Sequence, residues 1–323
     1  MTQDKSAVKA VLFPGQGSQE KGMGRDIAES WPEAMQVWKD AEKAAGQDLR
    51  EIFWQGDAQA MQETRYLQPA LFAAGLSLWL ALGSRLQPQF AAGHSVGEFT
   101  ALTAAGVLDY KNCLQLVALR ARLMSEAGQN QAGKMLAVLR MDQETLSGIV
   151  EQVKEDTGGA LCIANYNSPQ QLVLSGSSSA VDVAHSWIKQ KKGKAMPLPV
   201  NGAFHSSLMQ EPARDLAAYM QKLYWHEPKI GLHLNVTGAP EKDPQIIMQN
   251  MQKQMISPVL WLQLVQDQWA RGVRSWYELG PKDVLRKLLQ YSLQDQEEAW
   301  EAVSVGSLQK VQEVLGTKNG SMK

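Results

Sequence analysis

The feature that most narrows the fold is a repeated change of rhythm, from short apolar run to glycine-rich turn to helical periodicity. Residues 7–13 (AVKAVLF) form the first apolar run and stop at Pro14-Gly15-Gln16-Gly17-Ser18. Residues 90–93 (FAAG) form the second and run into His94-Ser95-Val96-Gly97. Each reads as a strand ending in a turn. Helical periodicity follows at residues 31–45, 68–82, 96–105 and 111–127. Strands alternating with helices predict a mostly parallel sheet with helices on both faces.

The middle of the chain has a different order. Residues 135–139 (MLAVL) read as a strand, 143–155 as a helix, 160–164 and 172–175 as strands, 181–189 as a helix and 195–200 as a strand. Asn165-Tyr166-Asn167-Ser168-Pro169 reads as the turn between the two central strands. This β-α-β-β-α-β order is that of the ferredoxin-like unit. The expected fold class is therefore α/β. A large α/β-hydrolase-like domain with a parallel sheet, residues 1–129 and 201–323, receives a ferredoxin-like small domain at residues 130–200. The large domain resumes with helices at 208–223 and 259–271, a strand at 275–279 and a helix from 284. Residues 317–323 are expected to fray. A length of 323 residues suits about two units at roughly 150 residues each.

Composition removes several classes of function. Lys and Arg total 32 against 33 Asp and Glu, a net charge of −1, so the basic excess of a nucleic-acid binder is missing. Apolar residues at 44% and charged residues at 20% are ordinary globular usage. Two cysteines, Cys113 and Cys162, make neither a disulfide scaffold nor a four-ligand zinc site, and no metal is expected. No secretory signal is visible in residues 1–9. The apolar stretch 69–83 spans only about 15 residues, short for a membrane span, and reads as a buried helix. The expectation is a cytoplasmic protein with neither membrane nor nucleic acid as partner.

The strongest chemical signal is Gly93-His94-Ser95-Val96-Gly97, a G-x-S-x-G between a strand and a helix. A serine there sits on a sharp turn, with glycines removing side chains that would clash. The helix start aims free N–H groups at the site, so the Val96 amide can face an oxyanion. Of five histidines, His94 adjoins the serine but points away on a tight turn, and His185, His226 and His233 read as solvated, turn and packed residues. His205, in Gly202-Ala203-Phe204-His205-Ser206, remains as the candidate base, with a loop histidine bonded to backbone as the alternative. Arg120 shares an apolar helix stripe with Cys113, Leu116, Val117 and Met124, whereas Arg122 points elsewhere. A core-facing guanidinium needs an anion, either a ligand carboxylate or a protein acid.

These motifs, in this order, resemble the malonyl-CoA:acyl carrier protein transacylases of fatty acid synthesis and the related acyltransferase domains of polyketide synthases. The likeness runs from about residue 8 to about residue 310. It rests on Phe13-Pro14-Gly15-Gln16-Gly17-Ser18-Gln19, Gln68-Pro69-Ala70-Leu71, Gly93 through Glu98, Arg120 with Met124, Asn165 through Pro169, Gly202 through Ser206, Ser257-Pro258-Val259 and Glu278-Leu279-Gly280-Pro281. The resemblance implies Ser95 as nucleophile, His205 as base, and the amides of Gln16 and Val96 as oxyanion hole. It implies that Arg120 holds the malonyl carboxylate, and that backbone and amide oxygen near Gln254, rather than an acid, orient the histidine. Gln68, Asn165, Asn167, Phe204 and Met124 would line the pocket, Phe204 disfavouring an α-methyl branch.

It also implies an enzyme acting on malonyl-CoA and acyl carrier protein, without a cofactor of its own, the phosphopantetheine being carried by the carrier protein; a monomer is expected, though the sequence does not give the oligomeric state. Arg140, where a glycine is expected, Asn201, where serine is more usual, and Lys134 depart from the pattern. Lys189, Lys191, Lys192 and Lys194 would either steer an acidic carrier protein or simply complement a helix C-terminus. The residues leave other readings open: a loader for a polyketide synthase carrier protein, a malonate decarboxylase subunit, a serine esterase or thioesterase, or a silent carrier-binding subunit.

Overall fold

The computed structural model describes residues 8–56 and 58–316. The expectations for residues 1–7 and for the tail 317–323 lie outside the described residues. The strands are β1 (Val8–Phe13), β2 (Phe90–Gly93), β3 (Gly133–Leu139), β4 (Leu161–Ser168), β5 (Gln171–Ser177), β6 (Lys194–Pro197), β7 (Gly231–His233), β8 (Pro240–Glu241), β9 (Val273–Leu279) and β10 (Glu301–Val305). They form two sheets. The first has the order β10-β9-β1-β2-β7-β8, parallel except for the last pair. Phe13 lies opposite Gly93, so the turns that follow β1 and β2 leave the sheet side by side. In a parallel sheet the crevice beyond the carboxyl ends of the strands is where ligands bind.

The second sheet is antiparallel, in the order β4-β5-β3-β6. Strand alternation gives its two faces different duties. Leu136 and Val138 of β3 and Leu172 and Leu174 of β5 bury against the helices Gln143–Thr157 and Ser178–Gln190 in a separate apolar cluster. Met135, Ala137, Gln171 and Val173, the intervening residues, face a cavity shared with the first sheet.

Three local expectations change. Residues 165–168 are not turn but the end of β4, and only Pro169 and Gln170 make the connection. The edge of β4 pairs with Val259, through Tyr166 N–H to Val259 O at 2.9 Å and Val259 N–H to Ala164 O at 2.9 Å. That tertiary pairing overrides the turn preference of asparagine, at the cost of two register shifts in the β4–β5 ladder. Residues 198–200 leave β6, which ends at Pro197, and Pro199 has no N–H to extend it. The apolar helix is Thr64–Leu86, 23 residues rather than about 15. By length and composition it could cross a membrane, but 78% of its apolar window is buried inside the protein. The short helices Arg25–Ser30 and Pro244–Lys253 and the edge strand β10 carried too little periodicity to be expected.

Two glycines fix the turn between β2 and the next helix, Gly97–Ala104. A Cβ on Gly97 would stand 2.0 Å from the Phe13 carbonyl, and one on Gly93 2.0 Å from the Gly97 backbone. Both obstacles are main chain, so relief requires moving β1 or the helix. Gly97→Ala should lose on the order of 1–3 kcal/mol of stability or more, read as a lowered urea midpoint; an unchanged midpoint would show that this contact does not hold the turn.

Candidate active site

Ser95 has φ 53°, a left-handed backbone that a side chain adopts only when its surroundings hold it there. Asn235 does much of the holding. Its Oδ1 accepts the Ser95 N–H at 2.8 Å and its Nδ2 donates to Gly93 O at 2.6 Å, clamping both sides of the turn. Among the described residues the Val96 amide donates to no main-chain acceptor, which leaves it free at the helix start.

His205, also left-handed at φ 59°, brings Nε2 to 2.9 Å from Ser95 Oγ across 110 positions of sequence. Its Nδ1 faces two main-chain carbonyls, Gln254 O at 3.0 Å and Ser257 O at 3.1 Å. Two acceptors on that side put the ring proton on Nδ1, leaving Nε2 as the acceptor for the serine hydroxyl. The orienting groups are thus carbonyls, not a carboxylate. Burial pulls the His205 pKa down to about 3, and the charge of Arg120 pulls the same way. The ring is neutral at pH 7 and ready to take a proton.

Arg120 is fully buried. It donates to Gln68 Oε1 at 2.6 Å, Gln254 Oε1 at 3.0 Å and Ser95 Oγ at 3.1 Å, and its Nε has no partner. Among the described residues no carboxylate lies within ion-pair distance of it. A structural ion pair with a protein acid, the alternative open from sequence, is therefore not formed. Burial lowers its pKa to about 9, partly offset by the charge of Glu98. Arg122 is half exposed and pairs with Glu126 at 3.3 Å.

A cavity of about 370 Å³ opens over the serine. Gln16, Gln68, Ser95, Val96, Met124, Asn165, Asn167, Phe204 and His205 line it, whereas Arg120 and Gln254 are not part of its lining but are hydrogen-bonded to Ser95. Gln68 Nε2 lies 3.4 Å from Met124 Sδ, and Gln16 Nε2 donates to Thr64 Oγ1 at 3.3 Å. His94 Nε2 lies 2.8 Å from Asn167 Oδ1, so that ring is engaged away from Ser95. The four lysines, Lys189, Lys191, Lys192 and Lys194, are exposed and line no part of this cavity. Arg140 has φ 60°, which explains physically why a glycine is natural there. Lys134 pairs with Asp182 at 2.7 Å on the surface. Among the described residues no cluster of three His, Cys, Asp or Glu is placed to hold a metal.

Two residues with strong claims on the site carried no role in the sequence reading. Asn235 gave no signal, being an isolated asparagine 140 positions from the serine it holds. Glu98 did: a lone carboxylate in the otherwise uncharged helix GEFTALTA, whose first six residues are buried. Burial raises its pKa to about 7 against the pull of hydrogen bonds and Arg120.

The acyl transferase domain family matches residues 11–323. The malonyl CoA-acyl carrier protein transacylase of Haemophilus influenzae is 35% identical over 310 residues, 95% of this chain and 98% of that one. Its Escherichia coli K12 counterpart is 36% identical over 283 residues, 86% of this chain and 91% of that one. The crystal structure of an acyl carrier protein S-malonyltransferase from Vibrio cholerae superposes with a TM-score of 0.88 at 34% identity, covering 95% of this chain and 99% of that one. A malonyl-transacylase in complex with its type II PKS acyl-carrier protein gives 0.89 at 32% identity, covering 96% and 99%. With sequence and fold alike over nearly its whole length, this chain belongs to the acyl transferase domain family, among the malonyl CoA-acyl carrier protein transacylases.

Proposed function

We propose that this enzyme transfers the malonyl group of malonyl-CoA to the phosphopantetheine thiol of acyl carrier protein, supplying fatty acid synthesis through a malonyl-Ser95 intermediate. The observation that carries the reading is the 2.9 Å approach of a neutral, carbonyl-oriented His205 to Ser95 Oγ beside an Arg120 that lacks a carboxylate partner. His205 Nε2 takes the serine proton as Oγ attacks the thioester carbonyl. The Gln16 and Val96 amides hold the developing oxyanion, and losing one such donor costs about 100- to 1,000-fold. The C–S bond breaks and coenzyme A leaves with the proton from His205. In the second half the carrier thiol gives its proton to His205 and attacks the ester, and Ser95 recovers its hydrogen. No step calls on a metal or redox cofactor.

Arg120 supplies the preference for a charged acyl group. The malonyl carboxylate would take the place that Ser95 Oγ now occupies on Nη2, while Gln68 and Gln254 keep the guanidinium in position. A neutral acyl group leaves the buried cation without an anion, and unpaired buried groups discriminate strongly. Gln68, Met124, Asn165, Asn167 and Phe204 shape the acyl pocket. We further assign residues 130–200 to an inserted ferredoxin-like domain in an α/β-hydrolase-like large domain, 1–129 with 201–323. The enzyme is read as a cytoplasmic monomer that needs neither membrane nor nucleic acid.

Intact-mass analysis after malonyl-CoA should show one malonyl adduct, absent in Ser95→Ala, that persists until carrier protein is added. Rapid loss of the adduct to water alone would make the enzyme a hydrolase instead. Arg120→Ala should lower malonyl transfer by about two orders of magnitude more than acetyl transfer; equal losses would remove Arg120 from selectivity. The imidazole of His205 should stay neutral through the neutral and mildly acidic range in an NMR titration, because burial and Arg120 both disfavour its cation. Arg120→Gln removes one of those causes, so the His205 pKa should rise in that variant. No rise would mean that the charge of Arg120 does not contribute to it.

A further inference from the structure

Glu98 touches neither the proposed substrate nor the reacting atoms, yet both of its oxygens are committed. Oε1 accepts the main-chain N–H of Asn235 at 2.8 Å, and Oε2 accepts Gln254 Nε2 at 2.9 Å. The side chain is fully buried. Each partner leads to the catalytic groups by one further bond. Asn235 holds the Ser95 amide and the Gly93 carbonyl. Gln254 donates from Nε2 to Ser95 O at 2.8 Å, accepts from Arg120 on Oε1 at 3.0 Å, and accepts from His205 on its main-chain carbonyl.

The orientation of the Gln254 amide is the critical choice. Its oxygen must face Arg120, because a guanidinium has donors only. Its nitrogen must then find two acceptors, and the protein provides the Ser95 carbonyl and the Glu98 carboxylate. Both Glu98 oxygens serve as acceptors in this geometry, toward the Asn235 N–H and the Gln254 NH2; in that state the side chain permits one orientation of the amide and rejects the flipped one, in which two oxygens would meet and an NH2 would face the cation. The carboxylate also lends negative charge to Arg120 through Gln254 without occupying its N–H groups. A direct Glu98–Arg120 pair would satisfy the arginine and remove its need for a ligand anion.

We infer that Glu98 is a positioning residue for acyl transfer: it locks the Gln254 amide so that Arg120 keeps its Nη2 directed at Ser95 Oγ, without a carboxylate partner of its own. The inference rests on the proposed malonyl transfer and adds the residue that keeps its selectivity arginine in register. Glu98→Gln keeps the shape but supplies one oxygen where two donors arrive, so either the Asn235 N–H or the Gln254 amide loses its acceptor.

The test compares single-turnover acylation of Ser95 by malonyl-CoA and by acetyl-CoA. Formation of malonyl-Ser95 in the unaltered enzyme checks the underlying reading separately, since its absence would defeat that reading whatever Glu98 does. Glu98→Gln should slow malonyl acylation by about 10- to 100-fold, the scale of a small misplacement of a positioning group, with a smaller loss for acetyl. The malonyl preference should therefore fall. Gln254→Met removes the amide but keeps the carbonyl that faces His205, and should reproduce that fall. In the Gln254→Met background, Glu98→Gln should change the preference little further, because both cut one link. Equal losses for both thioesters in Glu98→Gln, or independent losses in the double variant, would reduce Glu98 to a structural role and overturn the proposal. If Glu98→Gln fails to fold, an unchanged preference in Gln254→Met overturns it and a reduced one sustains it.

Discussion

A guanidinium buried without a carboxylate is costly, and the centre of this protein is organised around that cost. Arg120 is fully buried, with neutral partners on two of its nitrogens and none on the third. Each of those partners is thereby constrained in turn. Gln68 comes from the long apolar helix, Ser95 from the turn after β2, and Gln254 from a short helical turn far along the chain. The arginine cannot move without disturbing all three. The same charge disfavours protonation of the neighbouring His205. One residue thus reaches both the nucleophile and, by its charge, the histidine beside it.

The backbone carries a comparable constraint. Ser95 and His205, the two groups that approach each other at 2.9 Å, are both in left-handed conformations. Strained residues persist where surroundings over-determine them. For Ser95 the surroundings are two glycines, Asn235 and the packing of Phe13 against the helix start. For His205 they are two carbonyls on Nδ1 and the thiol of Cys162, which lies 3.5 Å from its carbonyl oxygen. A group held so firmly before substrate arrives needs little reorganisation during the reaction.

Much of this was legible in the sequence because it is local. The G-x-S-x-G turn, the strand before it, the helix after it and the inward face of the Arg120 helix follow from spacing alone. The long-range part was not legible from spacing. That His205 meets Ser95 depends on a chain return over 110 positions; elimination among the five histidines left it as a candidate, and family likeness then gave it the role of base. The asparagines at 165 and 167 look like turn residues until an edge pairing with Val259, itself far along the chain, draws them into β4. Asn235 and Gln254 have no local pattern whatever, since their meaning lies in which atoms they face. Glu98 stood between the two cases: a carboxylate in an apolar helix is visible, but its partners are not.

The second sheet has a consequence for how such an enzyme can change. Along β3 and β5, odd-numbered residues from 135 to 137 and from 171 to 173 face the cavity over Ser95, while Leu136, Val138, Leu172 and Leu174 hold the helices behind. The two duties are interleaved in sequence yet separated in space by the thickness of one strand. Replacements on the inner face can therefore reshape the chamber without loosening the layer that supports it. A fold arranged this way can drift among acyl groups while its serine, histidine and arginine stay where they are.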